Sequence, residues 1–208
     1  MNLPNKITIF RMGMVVLLVF LMLFPWSSCG VDFFDIKIFE IEGKVLTLQY
    51  LIGFILFLIA SISDYFDGHI ARKYNLVTNF GKFMDPIADK LLVNSSFIIL
   101  ALQGPVRIPA IVVVVMIGRD IIVDALRLLA MENGTVIAAS FWGKAKTVAQ
   151  MAALCFVYLA DFPFCYFDGN FSISILICYI AMVISIISGV MYVWSGRALL
   201  KGDKASHE

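Results

Sequence analysis

Six apolar stretches, separated by polar or proline- and glycine-containing segments, constrain the fold of this chain more than any other feature. About 20 apolar residues in a helix cross the hydrocarbon core of a bilayer, where only helices and closed barrels satisfy their own backbone. With 61% of its 208 residues hydrophobic, the chain is more apolar than an ordinary soluble domain. We therefore expect an all-α integral membrane protein with six transmembrane helices, at residues 7–26, 45–74, 81–103, 108–131, 146–162 and 172–196.

The basic residues predict how these helices are oriented. In a six-span topology, all sixteen lysines and arginines except Lys37, Lys44 and Arg107 fall on one side of the membrane or at helix ends facing it. Basic residues accumulate on the cytoplasmic side, so both termini are expected in the cytoplasm. The first apolar stretch is long enough to span, which argues against a cleaved signal. The sequence thus predicts one multi-pass domain, residues 1–208, in the cytoplasmic membrane.

Four aspartates lie close together in the sequence beside apolar residues: Asp64, Asp67, Asp85 and Asp89. Spacings of three and four residues place each pair on one face of a helix. Four crowded carboxylates cannot all ionise without a cation. An all-oxygen ligand set suits Mg²⁺, Mn²⁺ or Ca²⁺ better than zinc, and two such ions are typical of phosphoryl transfer.

The residues alone leave other classes of protein open. Carboxylates inside helix bundles also occur in ion and proton transporters. In a transporter, however, the carboxylates are expected near the membrane midplane, in broken helices of two related halves of the chain. A structural membrane scaffold would not explain the aspartate spacing. The formal charge of +1 argues against a nucleic-acid partner.

The aspartates belong to a longer pattern: Asp-x-x-Asp-Gly-x-x-Ala-Arg, eight residues, then Gly-x-x-x-Asp-x-x-x-Asp. This pattern resembles the signature of the CDP-alcohol phosphatidyltransferase family. Its fixed positions are filled by Asp64, Asp67, Gly68, Ala71, Arg72, Gly81, Asp85 and Asp89. The resemblance implies the CDP-alcohol phosphotransferase fold, a homodimer among membrane lipids, and an active site on the cytoplasmic side. It also implies transfer of a phosphatidyl group from CDP-diacylglycerol to an alcohol, with CMP as the leaving group.

The resemblance also implies a role for each signature residue. Asp64, Asp67 and Asp85 are expected to hold two Mg²⁺ or Mn²⁺ ions, with Asp89 as a further metal neighbour and the base on the acceptor hydroxyl. The CDP group is expected to be bound by Asp64, Asp67, Gly68, Ala71, Arg72, Gly81 and Asp85.

A later group of basic residues bears on the acceptor. Arg119 and Arg127 are two helical turns apart and share a face, and Lys144 and Lys146 follow Gly143. This pattern resembles the phosphatidylglycerophosphate synthases of the family, in which two arginines and a lysine bind the glycerol phosphate. The implied acceptor is sn-glycerol 3-phosphate, bound by Arg119, Arg127 and Lys144, with Lys146 as a further candidate. Inositol phosphate, serine and phosphatidylglycerol are the alternative acceptors.

Four residues near these groups carry a weaker signal. Asn5 and Thr8 belong to a pattern, Leu-Pro-Asn-x-Ile-Thr-x-x-Arg, that ends at Arg11 and resembles the amino-terminal signature of the same synthases. Tyr192 could touch substrate, although a residue of the interfacial aromatic belt is the plainer interpretation.

The acidic residues of the fourth helix and the cysteines leave questions open. Asp120 and Asp124 could form a polar stripe neutralised by its own basic neighbours. The four cysteines lack the spacing of a zinc site. Cys29 and Cys165 fall in loops expected on the same side of the membrane, so the sequence permits a disulfide without establishing one.

Overall fold

A computed structural model describes residues 3–41, 43–73, 79–132, 141–166 and 172–197, with side chains for all of these except 3–4, 64–73, 79–80, 82–83 and 132. The described chain is mostly helical. Its helices are α1 (Leu3–Leu23), α2 (Leu48–Lys73), α3 (Asn79–Gln103), α4 (Ala110–Glu132), α5 (Phe141–Tyr158) and α6 (Ile173–Ser195). Two short strands, β1 (Lys37–Ile41) and β2 (Lys44–Thr47), and three single 3₁₀ turns lie between helices.

The prediction of six helices is confirmed, and several boundaries move. The first helix begins at Leu3, so Asn5 lies inside it. The fifth helix begins at Phe141, before the predicted start at Lys146, and ends at Tyr158, so Gly143 and Lys144 also lie inside it. The predicted connector after α2 and the carboxyl-terminal tail fall largely outside the described residues.

The segment between α1 and α2 contains a β-hairpin that the sequence did not predict. Strands β1 and β2 pair antiparallel, with Lys37 opposite Thr47 and Ile41 opposite Lys44. Gly43 closes the hairpin with φ +79°, a left-handed conformation that a residue with a Cβ adopts at a cost. The apolar and polar residues of β1 alternate too briefly to have predicted a strand.

Apolar side chains lie on the outside of the described helices as well as in their core. Large apolar residues on the helices are exposed, and Val16, Leu102 and Val114 each keep 66% of their surface accessible. A few charged side chains, such as Arg11 and Asp120, are buried in the otherwise apolar core. An apolar exterior with charged groups turned inward is what a lipid solvent favours.

Two of the described helices are long and apolar enough to cross a membrane by length and composition. These are Asn5–Leu23 of α1 and Ile173–Ser195 of α6, and Leu48–Ser63 of α2 is a shorter apolar segment. The other predicted spans contain charged residues, which lower their mean hydropathy below that of a simple span.

The chain divides into two compact units, each made of two segments. Unit 1 comprises Met1–Ile108 with Leu154–Ser174, and unit 2 comprises Pro109–Ala153 with Ile175–Glu208. In unit 1, α1 packs against α2 and α3. Gly53 of α2 allows the closest approach there, because a Cβ at this position would lie 2.9 Å from Met22 Sδ and 3.2 Å from Tyr158 Cε1. The prediction of a single domain stays a prediction.

Side chains from neighbouring helices satisfy the carboxyl-terminal end of α1. The last carbonyl groups of a helix have no partner within it and need one from elsewhere. Gln49 Nε2 of α2 donates to the carbonyl oxygens of Leu21 and Met22, at 2.9 and 3.2 Å. Trp26 Nε1 also donates to the Leu21 carbonyl oxygen at 2.8 Å, and Gln103 Nε2 of α3 to that of Met22. These amide side chains fix the end of α1 against α2 and α3.

Asp161, which follows α5, accepts four hydrogen bonds from other residues of unit 1. Its Oδ2 accepts from Lys44 Nζ at 2.8 Å and from the Ser172 hydroxyl. Its Oδ1 accepts from the backbone N–H of Ser174 at 2.6 Å and from the hydroxyl of the same residue. Because Ser174 lies in the first turn of α6, the carboxylate also caps that helix and complements its dipole.

The backbone places Asp161 by ending α5 with a left-handed turn. Ala160 and Asp161 have φ values of +53° and +67°. The N–H of Asp161 donates to the Phe156 carbonyl and that of Ala160 to the Val157 carbonyl, both at 3.0 Å. These two bonds form a Schellman motif, which turns the chain sharply and directs it toward the start of α6.

The four cysteines are free thiols, so the disulfide that the sequence permitted is absent. Cys29 is exposed, whereas Cys165 is buried within the 3₁₀ turn Phe164–Tyr166. A buried free cysteine acts as a small apolar side chain, and Cys165 fills that role beside the Asp161 turn.

The charge on Asp161 should stabilise the fold in a pH-dependent way. Burial alone raises the pKa of Asp161, but hydrogen bonds from Lys44, Ser172 and Ser174 outweigh burial and hold this pKa below its ordinary value. Its contribution is therefore complete above the unfolded pKa of about 4 and is lost as the pH falls through the lower folded value. We expect Asp161→Asn to lower the free energy of unfolding by about 3 kcal/mol at pH 7, since Lys44 loses its counter-ion.

Thermal unfolding in detergent between pH 7 and pH 3 checks this prediction. The difference in unfolding temperature between wild type and Asp161→Asn should become smaller toward pH 3, because protonation removes the same charge from the wild-type protein. Asp35→Asn is the matched control, since Asp35 is an exposed acid of the same unit that accepts a hydrogen bond from Ser27. If the difference in unfolding temperature stays constant across this pH range, the charge on Asp161 does not stabilise the fold in the way predicted.

Candidate active site

Helices α2 and α3 carry the four aspartates of the signature. Asp64 and Asp67 lie within α2, and Asp85 and Asp89 lie within α3, so each pair shares one helical face. Both helices belong to unit 1, where they contact each other. The side chains of Asp64, Asp67, Ala71 and Arg72, and the surroundings of Gly68, lie outside the described residues.

Asp85 lies inside α3, because the helix begins at Asn79 and continues through Pro86. Asp85 Oδ1 accepts hydrogen bonds from Thr8 Oγ1 at 2.8 Å and from Arg11 Nη2 at 3.1 Å. Two residues of α1, one turn apart, therefore hold the first aspartate of the second pair.

The contact between Arg11 and Asp85 is asymmetric in its burial. The Arg11 side chain is 1% exposed, whereas that of Asp85 is 42% exposed. A buried guanidinium needs a nearby anion, so Arg11 fixes one carboxylate oxygen of Asp85. Asp89, one turn further along α3, is also half-exposed, and Asn5 is half-exposed at the start of α1.

The described residues are chemically suited to a hard divalent cation. Among the described side chains, no cluster of three or more His, Cys, Asp or Glu is present. Two of the four predicted metal ligands, Asp64 and Asp67, have side chains outside the described part of the chain. Asp85 and Asp89 offer carboxylate oxygens from partly accessible positions on one face of α3. Carboxylates of this kind are the ligands that Mg²⁺ and Mn²⁺ prefer. The four-aspartate arrangement itself stays a prediction.

Unit 2 brings together the basic residues of α4 with polar residues of α6. Arg119 Nη2 donates to Ser188 Oγ at 2.5 Å, and Arg127 Nη2 donates to Tyr192 Oη at 2.8 Å. The guanidinium carbons of Arg119 and Arg127 lie 5.7 and 5.1 Å from the centre of the Tyr192 ring, which is within the range of cation–π attraction. The predicted shared face of the two arginines is therefore the face turned to α6.

Asp120 neutralises part of this basic group. Lys146 Nζ of α5 donates to both of its carboxylate oxygens, at 2.7 and 2.8 Å, and Arg119 Nη1 donates to Oδ1 at 3.1 Å. Asp120 and Lys146 are both buried, as the interpretation of a self-neutralised polar stripe expects. Lys144 is exposed on the same helix as Lys146. The two lysines thus differ in accessibility and charge compensation, which the sequence did not distinguish.

Two functional candidates on α6 were missed or misjudged from the sequence. The interpretation of Tyr192 as a residue of the aromatic belt is wrong, because its side chain is 2% exposed and contacts both arginines. Ser188 was considered only as a helix-packing residue. The available signal was its spacing of four residues from Tyr192 in an apolar helix, which places both side chains on one face.

With this geometry in place, comparison with known proteins identifies the family. The family model described as CDP-alcohol phosphatidyltransferase matches residues 1–193 of the chain. The chain belongs to the CDP-alcohol phosphatidyltransferase family. Proteins of this family generally use divalent metal ions, which agrees with the acidic character of the α3 face. Family membership and two helices capable of spanning a bilayer together indicate a membrane protein.

Several curated members of the family resemble this chain over nearly their whole length. One from Bacillus subtilis (strain 168) is 41% identical over 191 residues, covering 92% of this chain and 93% of the relative. One from Rickettsia bellii is 36% identical over 194 residues, covering 92% and 93%. One from Haemophilus influenzae is 32% identical over 204 residues, covering 96% and 95%. All three are named CDP-diacylglycerol–glycerol-3-phosphate 3-phosphatidyltransferase.

The buried pair of Asp120 and Lys146 should show strong energetic coupling. We expect Asp120→Asn to lower the free energy of unfolding by about 3 kcal/mol, because it leaves the Lys146 ammonium buried without its carboxylate. The double variant Asp120→Asn with Lys146→Met should recover most of that loss, since it removes the stranded charge. Thermal unfolding in detergent of the two single variants and the double variant measures the coupling.

Lys144→Met is the control for the lysine substitution. The Lys144 side chain is exposed on α5, so we expect this substitution to change the free energy of unfolding by no more than about 0.5 kcal/mol. Additive effects of Asp120→Asn and Lys146→Met would show that the two residues do not form a pair in the folded protein.

Proposed function

We propose that this chain transfers the phosphatidyl group of CDP-diacylglycerol to sn-glycerol 3-phosphate, giving phosphatidylglycerophosphate and CMP. The observation that carries this proposal is the resemblance, at 32–41% identity and over nearly the full length, to relatives named for that reaction. The arginines held on α4 are a second, independent support, because guanidinium groups suit an anionic acceptor. The product belongs to the biosynthesis of phosphatidylglycerol and related phospholipids.

In the proposed mechanism, the aspartates of α2 and α3 hold the diphosphate end of the donor through divalent ions. Asp64, Asp67, Asp85 and Asp89 would supply the oxygen ligands for two Mg²⁺ or Mn²⁺ ions, and Thr8 and Arg11 would keep one oxygen of Asp85 in place. Bound divalent ions would supply positive charge that offsets the charge of the diphosphate. Gly68, Ala71, Arg72 and Gly81 would shape the surface that receives the CDP group.

The proposed chemical step moves one proton and exchanges one phosphorus–oxygen bond. Asp89 would accept the proton of the acceptor hydroxyl as its oxygen bonds to the phosphorus that carries the diacylglycerol. The bond from that phosphorus to the CMP oxygen breaks, and CMP leaves. Fixed positive charge near the reacting phosphate favours this step, because it needs no rearrangement during the reaction.

Arg119, Arg127, Lys144 and Lys146 are the proposed binding residues for the phosphate of the acceptor. The charged side chains described on α4 and α5 comprise these four cations and the acids Asp120 and Asp124. The excess of positive charge favours an acceptor that carries a phosphate over serine, which carries no net charge. Among the four, Lys146 would act mainly by its pairing with Asp120, and exposed Lys144 would meet the phosphate more directly.

The proposed setting is a six-span membrane protein with both termini and the active site on the cytoplasmic side. The apolar exterior of the helices and the distribution of lysines and arginines support this topology. A homodimer is proposed from the family resemblance. CDP-diacylglycerol would reach the site from the bilayer, and glycerol 3-phosphate would reach it from the cytoplasm.

Release of CMP from CDP-diacylglycerol by the purified protein in detergent tests the proposed reaction. Glycerol 3-phosphate, inositol phosphate, serine and phosphatidylglycerol are offered separately, with Mg²⁺, with Mn²⁺ or with a chelator. We expect metal-dependent release with glycerol 3-phosphate, and release below one tenth of that rate, roughly, with the other acceptors. Release with another acceptor alone would keep the aspartate site and overturn the assignment of the basic residues.

Asp89→Asn separates an enzyme from a transporter or a scaffold. An amide cannot accept the proton of the acceptor hydroxyl, so we expect turnover to fall by about 10²–10⁴-fold. Binding of CDP-diacylglycerol, measured by titration calorimetry in detergent, should be largely retained. Asp32→Asn, at an exposed acid distant in sequence from the signature, serves as the control with wild-type turnover. Wild-type turnover in Asp89→Asn would remove Asp89 from the mechanism.

A further inference from the structure

Helix α6 carries three residues that contact the arginines of α4, and they form a short pattern of their own. Ser188 and Gly189 lie four and three residues before Tyr192, so each is its neighbour on the surface of the helix. Ser188 and Tyr192 are buried, at 0% and 2% exposure. Each accepts a hydrogen bond from a different arginine, Ser188 from Arg119 and Tyr192 from Arg127.

Gly189 supplies the space that this arrangement requires. A Cβ at this position would lie 2.9 Å from Cγ of Arg119, closer than real Cβ contacts, and 3.7 Å from its Nε. The stem of Arg119 therefore packs directly on the backbone of α6. Any larger residue at position 189 would push Arg119 away from Ser188.

Arg119 is held at several points while part of its hydrogen-bonding capacity remains. Nη2 is fixed by Ser188, Nη1 by Asp120, and the guanidinium lies beside the Tyr192 ring. A guanidinium has five N–H groups, and within the described residues these two hydrogen bonds use only two of them. Such a group is oriented before an anion arrives, which lowers the conformational entropy lost on binding.

Tyr192 links the two arginines through its ring and its hydroxyl. Both guanidinium carbons lie within 6 Å of the ring centre, at 5.7 and 5.1 Å, although like charges repel each other. The electron-rich face of the ring attracts both cations and offsets part of that repulsion. The same side chain therefore fixes the positions of the two arginines relative to each other.

We propose that Ser188, Gly189 and Tyr192 are positioning residues that hold Arg119 and Arg127 in the orientation in which they bind the acceptor's phosphate. This inference rests on the proposed function, and it assigns to α6 the selection of a phosphate-bearing acceptor. The three residues act on the acceptor through the arginines. Their loss should weaken acceptor binding without disturbing the binding of CDP-diacylglycerol.

The test measures initial rates of CMP release in detergent while one substrate is varied at a time. The variants are Ser188→Ala, Gly189→Ala and Tyr192→Phe, with Arg127→Gln as the reference for loss of an arginine. Removal of one hydrogen bond to a charged group should raise the KM for glycerol 3-phosphate by about tenfold. The KM for CDP-diacylglycerol should stay within about twofold of wild type, since no change is made among the signature aspartates.

Inhibition by inorganic phosphate gives a readout that a purely structural role would not change. Phosphate should compete with glycerol 3-phosphate in wild type, and its inhibition constant should rise in each α6 variant in proportion to the acceptor KM. Tyr192→Leu, which removes the ring as well as the hydroxyl, should have a larger effect than Tyr192→Phe. Inhibition constants that rise in this order would show that the α6 residues orient the arginines. A general loss of stability would not raise them in proportion to the acceptor KM.

Each α6 variant has a matched control in the same unit. Ser185→Ala is the control for Ser188→Ala. Ser185 lies one turn before Ser188 and is buried, and its hydroxyl has no hydrogen bond within the described residues. Tyr179→Phe changes a partly exposed tyrosine of the same helix. Gly118→Ala adds a methyl group on α4 where nothing lies within 4 Å. All three controls should keep wild-type kinetics.

The outcomes distinguish this inference from the function on which it rests. If wild type releases no CMP with glycerol 3-phosphate, the proposed function fails, and the inference fails with it. If wild type is active and Arg127→Gln raises the acceptor KM, but the α6 variants do not, the inference alone is overturned. Thermal unfolding is measured first. Should Tyr192→Phe prove unstable, Ser188→Ala, which deletes one oxygen from a helix, decides the question.

Discussion

A charge placed among apolar helices is costly unless another charge or hydrogen-bonding group meets it there, and the polar contacts of this protein follow from that constraint. Arg11 of α1 meets Asp85 of α3, and Lys146 of α5 meets Asp120 of α4. Each pair joins two different helices, and its residues are 74 and 26 positions apart in the sequence. Since apolar side chains facing lipid discriminate poorly among neighbours, such pairs can specify which helix faces lie together.

In the proposed function, buried contacts of this kind would also prepare the protein for anionic substrates. Groups that are already oriented toward a developing or bound charge need no rearrangement when it appears, which is the main source of electrostatic catalysis. Here, Thr8 and Arg11 orient Asp85, while Ser188 and Tyr192 orient the two arginines of α4. If the proposed function holds, one set of hydrogen bonds serves both the packing of these helices and the binding of substrate.

The sequence predicts the helices well and the long-range partners poorly. Apolar length identifies six helices, since a helix is the simplest way to bury a backbone in lipid. The hairpin at 37–47 escapes detection because four or five residues are too few for a periodic signal. The pairing of Lys146 with Asp120, and the contact of Tyr192 with both arginines, depend on how separate helices pack. No local pattern encodes that packing, so the sequence favoured the aromatic-belt interpretation of Tyr192.

The Asp161 contacts have a consequence for the order in which the protein assembles. Lys44 and Ser174, which both donate to this carboxylate, are separated by most of the chain. A ribosome delivers Lys44 well before Ser174, so the full set of hydrogen bonds cannot close until the start of α6 has been synthesised. The junction therefore acts as a late fastening step, joining the first half of the polypeptide to its last helix.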